Sequence, residues 1–292
     1  MAKYPNWTGR IEALLNVLGG EEVVDALIAG TKVAEIKDAV RMLFDRHGRC
    51  IPPQGMKAEV VDANRDFHLT QPEVNFAERL ARLTRFLTNG ETPISAEEFE
   101  RRTAEIVRRV KGDKLLVNLF CGVFLPIVLP QIAIGDYGKT LDLTLLPAVG
   151  RAYEAEFAGR KFYNHRQGTL AGEVTVVKGS RHEALVAAIA AGPVVALYFP
   201  TALQGFSIPA DLEQMAMLPD FVLPTGALEP AAAMVMYPDV LARDGQTPGL
   251  DCAALSWRGG SLYFKADGDN LLFNGGGLSA RGNYSGGLVV LG

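Results

Sequence analysis

Apolar positions recur at helical spacing near the start of the chain. Trp7, Ile11, Leu14, Leu15 and Leu18 share one face, and Gly19-Gly20 closes the segment, which predicts a helix over 7–18. A second helix is predicted from Glu21 to Ala29, carrying Val23, Val24, Leu27 and Ile28 and stopping at Gly30. A third is predicted over Glu35 to Arg46, broken by His47-Gly48. IPPQG, residues 51–55, reads as a linker. The pattern therefore sets a small helical unit over 1–50 ahead of a body over 56–292.

Within that body, 58–67 is predicted as a strand. Thr70 and Pro72 open an amphipathic helix through Leu87, closed by Asn89-Gly90. Ser95 and Glu98 form a capping box for a helix to about Val110. The longest apolar run, Leu115 to Ile134, approaches the length of a membrane span. Asn118, Gly122, Pro126, Pro130 and Gln131 interrupt it, so it reads as two buried strand-like segments. Asp136 to Phe157 is helical in pattern, split or kinked by Pro147. Further on, strands are expected near 173–177, 194–199, 251–257, 261–273 and 285–291, the fourth being a hairpin turning at 267–270. Helices are expected over 180–191, 210–217 and 228–236. The fold class expected is α/β or α+β: a mixed sheet, including a strand near 114–120, flanked by helices and preceded by the small helical unit.

Composition narrows this picture. Apolar residues make up 48% and charged residues 21% of 292, enough for a real core. The net charge is −4, and the densest basic run, Arg101 to Lys111, is mixed with Glu97, Glu98, Glu100 and Glu105. That mixture reads as a solvated helix face, so no nucleic-acid partner and no membrane partner are expected. Cys50, Cys121 and Cys252 are far apart and form no CxxC pair, and the N-terminus has no signal pattern, so a cytoplasmic protein is expected.

Candidate chemistry is sparse. GSRHEALVAAIAAGP, Gly179 to Pro193, places serine, histidine and glutamate together. Ser180 as N-cap and Glu183 reaching back explain two of these by the needs of a helix start, with His182 in the first turn. AIGDYGKT, Ala133 to Thr140, is one glycine short of a phosphate-binding loop: Gly138, Lys139 and Thr140 match, and Ala133 stands where the first glycine should be. The alternative is that Asp136 caps a helix containing Tyr137 and Gly138. His47, His68, His165 and His182 show no metal-ligand spacing, and Asp267 and Asp269 suit a turn better than a calcium loop, so no metal and no cofactor are expected. The loop KFYNHRQG holds Tyr163, Asn164, His165 and Arg166. A loop-built hydrolase or transferase site could draw on His165, Arg166, His182 and Cys252.

The segments DYGKTLDLTLLPAVGRAYE, RKFYNHRQGTLAG, SRHEALV, GPVVALYFPTALQGFSI and AMVMYPDVLARDGQTPGLDCAALSW cover most of 136–257. Together they resemble a family of uncharacterised predicted bacterial proteins, many from environmental genomes. WTGRIEALLNVLGGEEVVDALIAG resembles a short N-terminal module found ahead of otherwise dissimilar proteins. The resemblance supplies no activity or site residue. It implies a self-sufficient C-terminal folding unit and a detachable helical adaptor. A non-catalytic binding protein with a protein partner at the N-terminal helices is the leading expectation, with homo-oligomerisation open; the alternative is the enzyme with the loop-built site.

Overall fold

The computed structural model describes residues 8–34, 42–61, 67 and 69–292. It has an α+β fold with an N-terminal helical unit. Two compact units divide between Arg41 and Met42.

The first unit holds α1 (Thr8–Leu18) and α2 (Glu21–Ile28). Gly19 and Gly20 both take positive φ, 102° and 88°, which a side chain would resist, and so turn the chain between the helices. Leu15, Leu18, Val23, Val24 and Leu27 are half-buried, and no described residue of the unit is fully buried. Trp7 and residues 35–41 of the expected third helix lie outside the described residues. The remainder of that expectation is corrected: 42–46 are not helical. Phe44 bridges Cys50 across a turn at Gly48, and the Cys50 N–H donates to the Ala202 carbonyl at 2.7 Å. Phe44 is fully buried, so residues 42–50 belong with the body.

In the body, α3 (Phe76–Phe86) starts at Asn75, whose side chain accepts from the Glu78 N–H, and not at Thr70 or Pro72. α4 (Ala96–Gly112) is capped by Ser95 as the sequence predicts, its Oγ accepting from the Glu98 N–H at 3.2 Å. Residues 114–120 are not a strand. Asp113 turns the chain by accepting from the Leu115 N–H, and Val117–Cys121 is a 3₁₀ turn that buries Leu116 and Leu119 three apart. The strand comes later, as β1 (Leu125–Leu129).

α5 (Tyr137–Thr140) runs through a π-helical turn, Leu141–Leu145, into α6 (Leu146–Glu156). Pro147 follows the π-helical turn directly, so the N–H it lacks falls where the regular ladder is already interrupted. Next come β2 (Lys161–Asn164), β3 (Val174–Val176), α7 (His182–Ala191), β4 (Val194–Phe199), α8 (Ile208–Gln214) and β5 (Val222–Pro224). α9 (Leu228–Met236) and α10 (Pro238–Leu241) are followed by β6 (Gly249–Asp251), β7 (Leu255–Trp257), β8 (Ser261–Asp267), β9 (Asn270–Gly276), β10 (Tyr284–Ser285) and β11 (Leu288–Leu291).

The expected single sheet is instead two sheets and a separate ribbon. The first is antiparallel in the order β1-β4-β11-β5; the second is mixed in the order β10-β6-β8-β9-β2; β3 and β7 pair apart. The hairpin expected over 261–273 forms as β8 and β9, with Asp267 facing Asn270. Helix α9 is the centre of the body: all nine of its residues are buried. Its last carbonyls, Val235 and Met236, are met by the guanidinium groups of Arg82 and Arg79 from α3, at 3.2 and 2.9 Å. Among the described residues no helix is long and apolar enough to cross a membrane.

Candidate functional site

The N-terminal end of α9 opens onto the most polar region of the core. Its first turn brings in Glu229, the only charged residue of the helix, at zero exposure. One carboxylate oxygen reaches back to accept at 3.1 Å from the N–H of Gly226, two residues ahead of the helix. The other lies 3.2 Å from Nδ1 of His182, close enough for an ion pair but not aligned as a hydrogen bond. His182 enters from the first residue of α7, and its Nε2 lies 2.9 Å from the Tyr137 hydroxyl at the start of α5. That hydroxyl also accepts from the Ala227 N–H at 3.4 Å. Three helix N-termini thus converge on one Tyr137–His182–Glu229 relay. Gly226 makes the convergence possible, because a Cβ there would stand 2.4 Å from the imidazole.

Thr225 extends this array into a buried polar seam. Its hydroxyl meets the Asp251 carbonyl at 3.1 Å and the Gly286 carbonyl, tying the ends of β5 and β6 to the link between β10 and β11. Asp251 pairs with Arg281 at 3.3 Å, and Arg281 lies over the ring of Tyr284. Behind it, Asp211 of α8 is fully buried, and neither carboxylate oxygen meets a protein donor.

Burial dominates the electrostatics. It pushes the Asp211 carboxyl well up, with the charge of Asp251 adding to the effect. It also lifts Asp251 to about 7, outweighing the guanidinium of Arg281. The Cys252 thiol and the Tyr137 and Tyr198 hydroxyls are raised for the same reason. A thiol held up in this way stays protonated and is a poor nucleophile. His182, Glu229, Thr225, Cys252 and Tyr198 have no exposure to solvent. A groove of about 530 Å³ is lined by Arg101, Arg102 and Arg109 of α4 with Pro193 to Val195. Arg101 and Arg102 are engaged there by Glu98 and, for Arg101, by Glu105.

The four residues considered for a loop-built site do not share one. His165 is exposed and stacks on Tyr163. Arg166 bonds Asn274 at 2.7 Å and lies over Trp257. His182 and Cys252 are in the core, His182 beside Glu229. Residues 161–164, read as a loop, form β2 along β9.

The capping box at Ser180 is also corrected. The Ser180 hydroxyl is buried without a partner, Arg181 takes φ 69°, and the helix starts only at His182. Arg181 is held there by four carbonyls, those of Pro219, Val222, Met215 and Leu218. Glu183 reaches back one residue further than expected, to the Gly179 N–H at 3.3 Å.

At the near-miss phosphate loop, Asp136 occupies the amides that a phosphate would need. Its carboxylate accepts from the Lys139 N–H and the Gly172 N–H, both at 2.9 Å, and the Thr140 hydroxyl donates to the Asp136 carbonyl. Gly138 serves packing instead, since a Cβ there would meet the Leu170 carbonyl oxygen at 1.8 Å. His68 lies outside the described residues. Among the described residues no group of three or more His, Cys, Asp or Glu is placed to hold a metal.

Sequence reasoning missed Glu229, Tyr137, Asp211 and Asp251. The readable signal was an isolated carboxylate in a segment with no other charge: LEPAAAMVM has only Glu229. The chain matches no protein-family model, no curated protein and no solved structure.

Proposed function

We propose that this is a non-catalytic interaction protein, in which the α+β body is a rigid scaffold and the N-terminal helices are the contact module. One observation carries the reading: α1 and α2 hold Ile11, Leu14, Val17 and Ile28 at 47, 56, 83 and 80% exposure. A unit of 41 residues closes at most a small core of its own and gains stability by covering such a face with another surface. The buried array adds support, since His182 and Glu229 have no exposed surface at which a substrate could reach them. The reading includes a reducing compartment, in keeping with three free cysteines, of which Cys121 is exposed.

A photo-crosslinking residue at Val17, introduced in the full chain and activated in cells, tests it. A discrete protein adduct at Val17, with none from the same group at Lys265 of β8, is the expected result. No adduct at Val17 with any protein, this chain included, removes the reading.

A further inference from the structure

The chain contains two Asn-Gly dipeptides, Asn89-Gly90 and Asn274-Gly275. Such a pair is open to one internal reaction. The glycine amide nitrogen can attack the asparagine side-chain carbonyl, because no Cβ stands in its way. The fold treats the two pairs differently. The Gly90 N–H, just past α3, is committed to the Thr84 carbonyl at 2.9 Å. Among the described residues the Gly275 N–H has no main-chain partner of that kind. Gly275 of β9 stands opposite Leu262 of β8, and the Leu262 carbonyl faces the other way, accepting from the Cys252 N–H at 2.8 Å. The two therefore form a non-hydrogen-bonded pair, and the Gly275 N–H points away from β8. On that side β2 has already ended, at Asn164 opposite Phe273. The N–H turns instead to its own neighbour, and Asn274 Oδ1 accepts from it at 2.8 Å. The same oxygen accepts from the Arg166 Nε–H at 2.7 Å. That guanidinium lies over the ring of Trp257, and the ring also forces glycine at 275, since a Cβ there would stand 2.5 Å from it.

From this arrangement we infer that Asn274-Gly275 is a site of self-modification, at which Arg166 promotes conversion of the asparagine to aspartate and isoaspartate. Hydroxide from the solvent removes the Gly275 amide proton, and the nitrogen bonds to Cγ of Asn274, closing a five-membered ring. The negative charge that develops on Oδ1 meets a donor already aimed at it. The Cγ–Nδ2 bond then breaks, and Nδ2 takes up a proton and leaves as ammonia. Water adds to one of the two ring carbonyls and breaks its bond to the ring nitrogen. Release at Cγ gives aspartate; release at the main-chain carbonyl gives isoaspartate. Nothing is oxidised or reduced, and water is the only co-reactant. Aspartate turns the hydrogen bond from Arg166 into an ion pair, so that product is held by the same contact that promotes its formation. Isoaspartate lengthens the main chain by a methylene at the end of β9.

Peptide mapping by mass spectrometry of the purified full chain, aged in mildly alkaline buffer, tests the inference with Asn89 as the internal reference. In the folded chain Asn274 should convert about tenfold faster than Asn89, and the two rates should converge in denaturant. Arg166→Gln should slow Asn274 by a similar factor and leave Asn89 unchanged. Arg166→Lys, which keeps the charge, should fall between. Conversion at Asn274 no faster than at Asn89 in the folded chain overturns the inference. A preference that persists in denaturant does so too, because it would belong to the flanking sequence. A rate at Asn274 that Arg166→Gln leaves unchanged or raises also overturns it, since Arg166 would then only order the side chain.

Discussion

Helices α1 and α9 are both rich in apolar residues, yet α1 has Ile11, Leu14 and Val17 exposed while α9 is buried along its whole length. The amides of Gly226 and Ala227 just ahead of α9 are engaged by Glu229 and Tyr137, and its last carbonyls by Arg79 and Arg82, so these groups leave water at little cost. In the first unit neither α1 nor α2 has a fully buried described residue. Apolar content marks a surface that gains by being covered; polar groups met by buried partners mark one that already is.

The sharpest way to break this contrast is to crowd the relay. Gly138→Ala drives a methyl into the Leu170 carbonyl, and Gly226→Ala drives one into the imidazole of His182. Each should cost on the order of 4 kcal/mol or prevent folding, measured by denaturant unfolding. Gly9→Ala in α1, where a Cβ meets nothing within 4 Å, should be neutral or slightly stabilising. A comparable loss at Gly9 would show that α1 is packed after all.

Removing the carboxylate comes next. Glu229→Ala leaves the Gly226 amide without its acceptor and opens a gap beside His182, and should cost about 2–4 kcal/mol. Glu229→Gln keeps an acceptor for the amide and should cost less. Equal losses would mean that the volume of the side chain, rather than its hydrogen bond, supports the start of α9.

Proton linkage sharpens the comparison further. Asp211 and Asp251 bind protons more tightly folded than unfolded, so their effect is to make stability fall as pH rises through the folded values. From pH 8 down to pH 6, Asp251 alone, at about 7, should add roughly 1 kcal/mol, or a few degrees in Tm. Asp251→Asn should flatten that slope. A wild-type Tm that falls as pH is lowered over this window would place the carboxylates in water.

The smallest expected effect is that of removing residues 1–41, which should leave the melt of the body within about 1 kcal/mol, since its core is built from residues 44–290.

Much of the fold was legible in the sequence, for identifiable reasons. The Ser95 cap, the Asp136 cap and the 267–270 turn are local devices, complete within a few residues, and form as read, although Glu98 does not close the box at Ser95 and bonds Arg101 and Arg102 instead. Strand β2 was not legible, because KFYN forms a strand only through pairing with β9 more than a hundred residues away. The Ser180 cap fails for a long-range reason too: four carbonyls between Met215 and Val222 capture Arg181 and hold it in a left-handed conformation. The candidate site suffered most. Tyr137, His182 and Glu229 come from three helices spread over ninety-odd residues, and only the solitary charge in the apolar stretch of α9 gave notice of it.

Pro126 lies on the outer strand of the first sheet, opposite Leu197. In an antiparallel strand the N and O of one residue point to the same side. The Pro126 carbonyl points away from β4, since it accepts from the Tyr237 hydroxyl at 2.8 Å. The rim position at 126 therefore offers an incoming strand neither a donor nor a free acceptor. A sheet whose rim is silenced in this way resists runaway stacking into fibrils, and the chain can keep five consecutive buried apolar residues at that border without inviting aggregation.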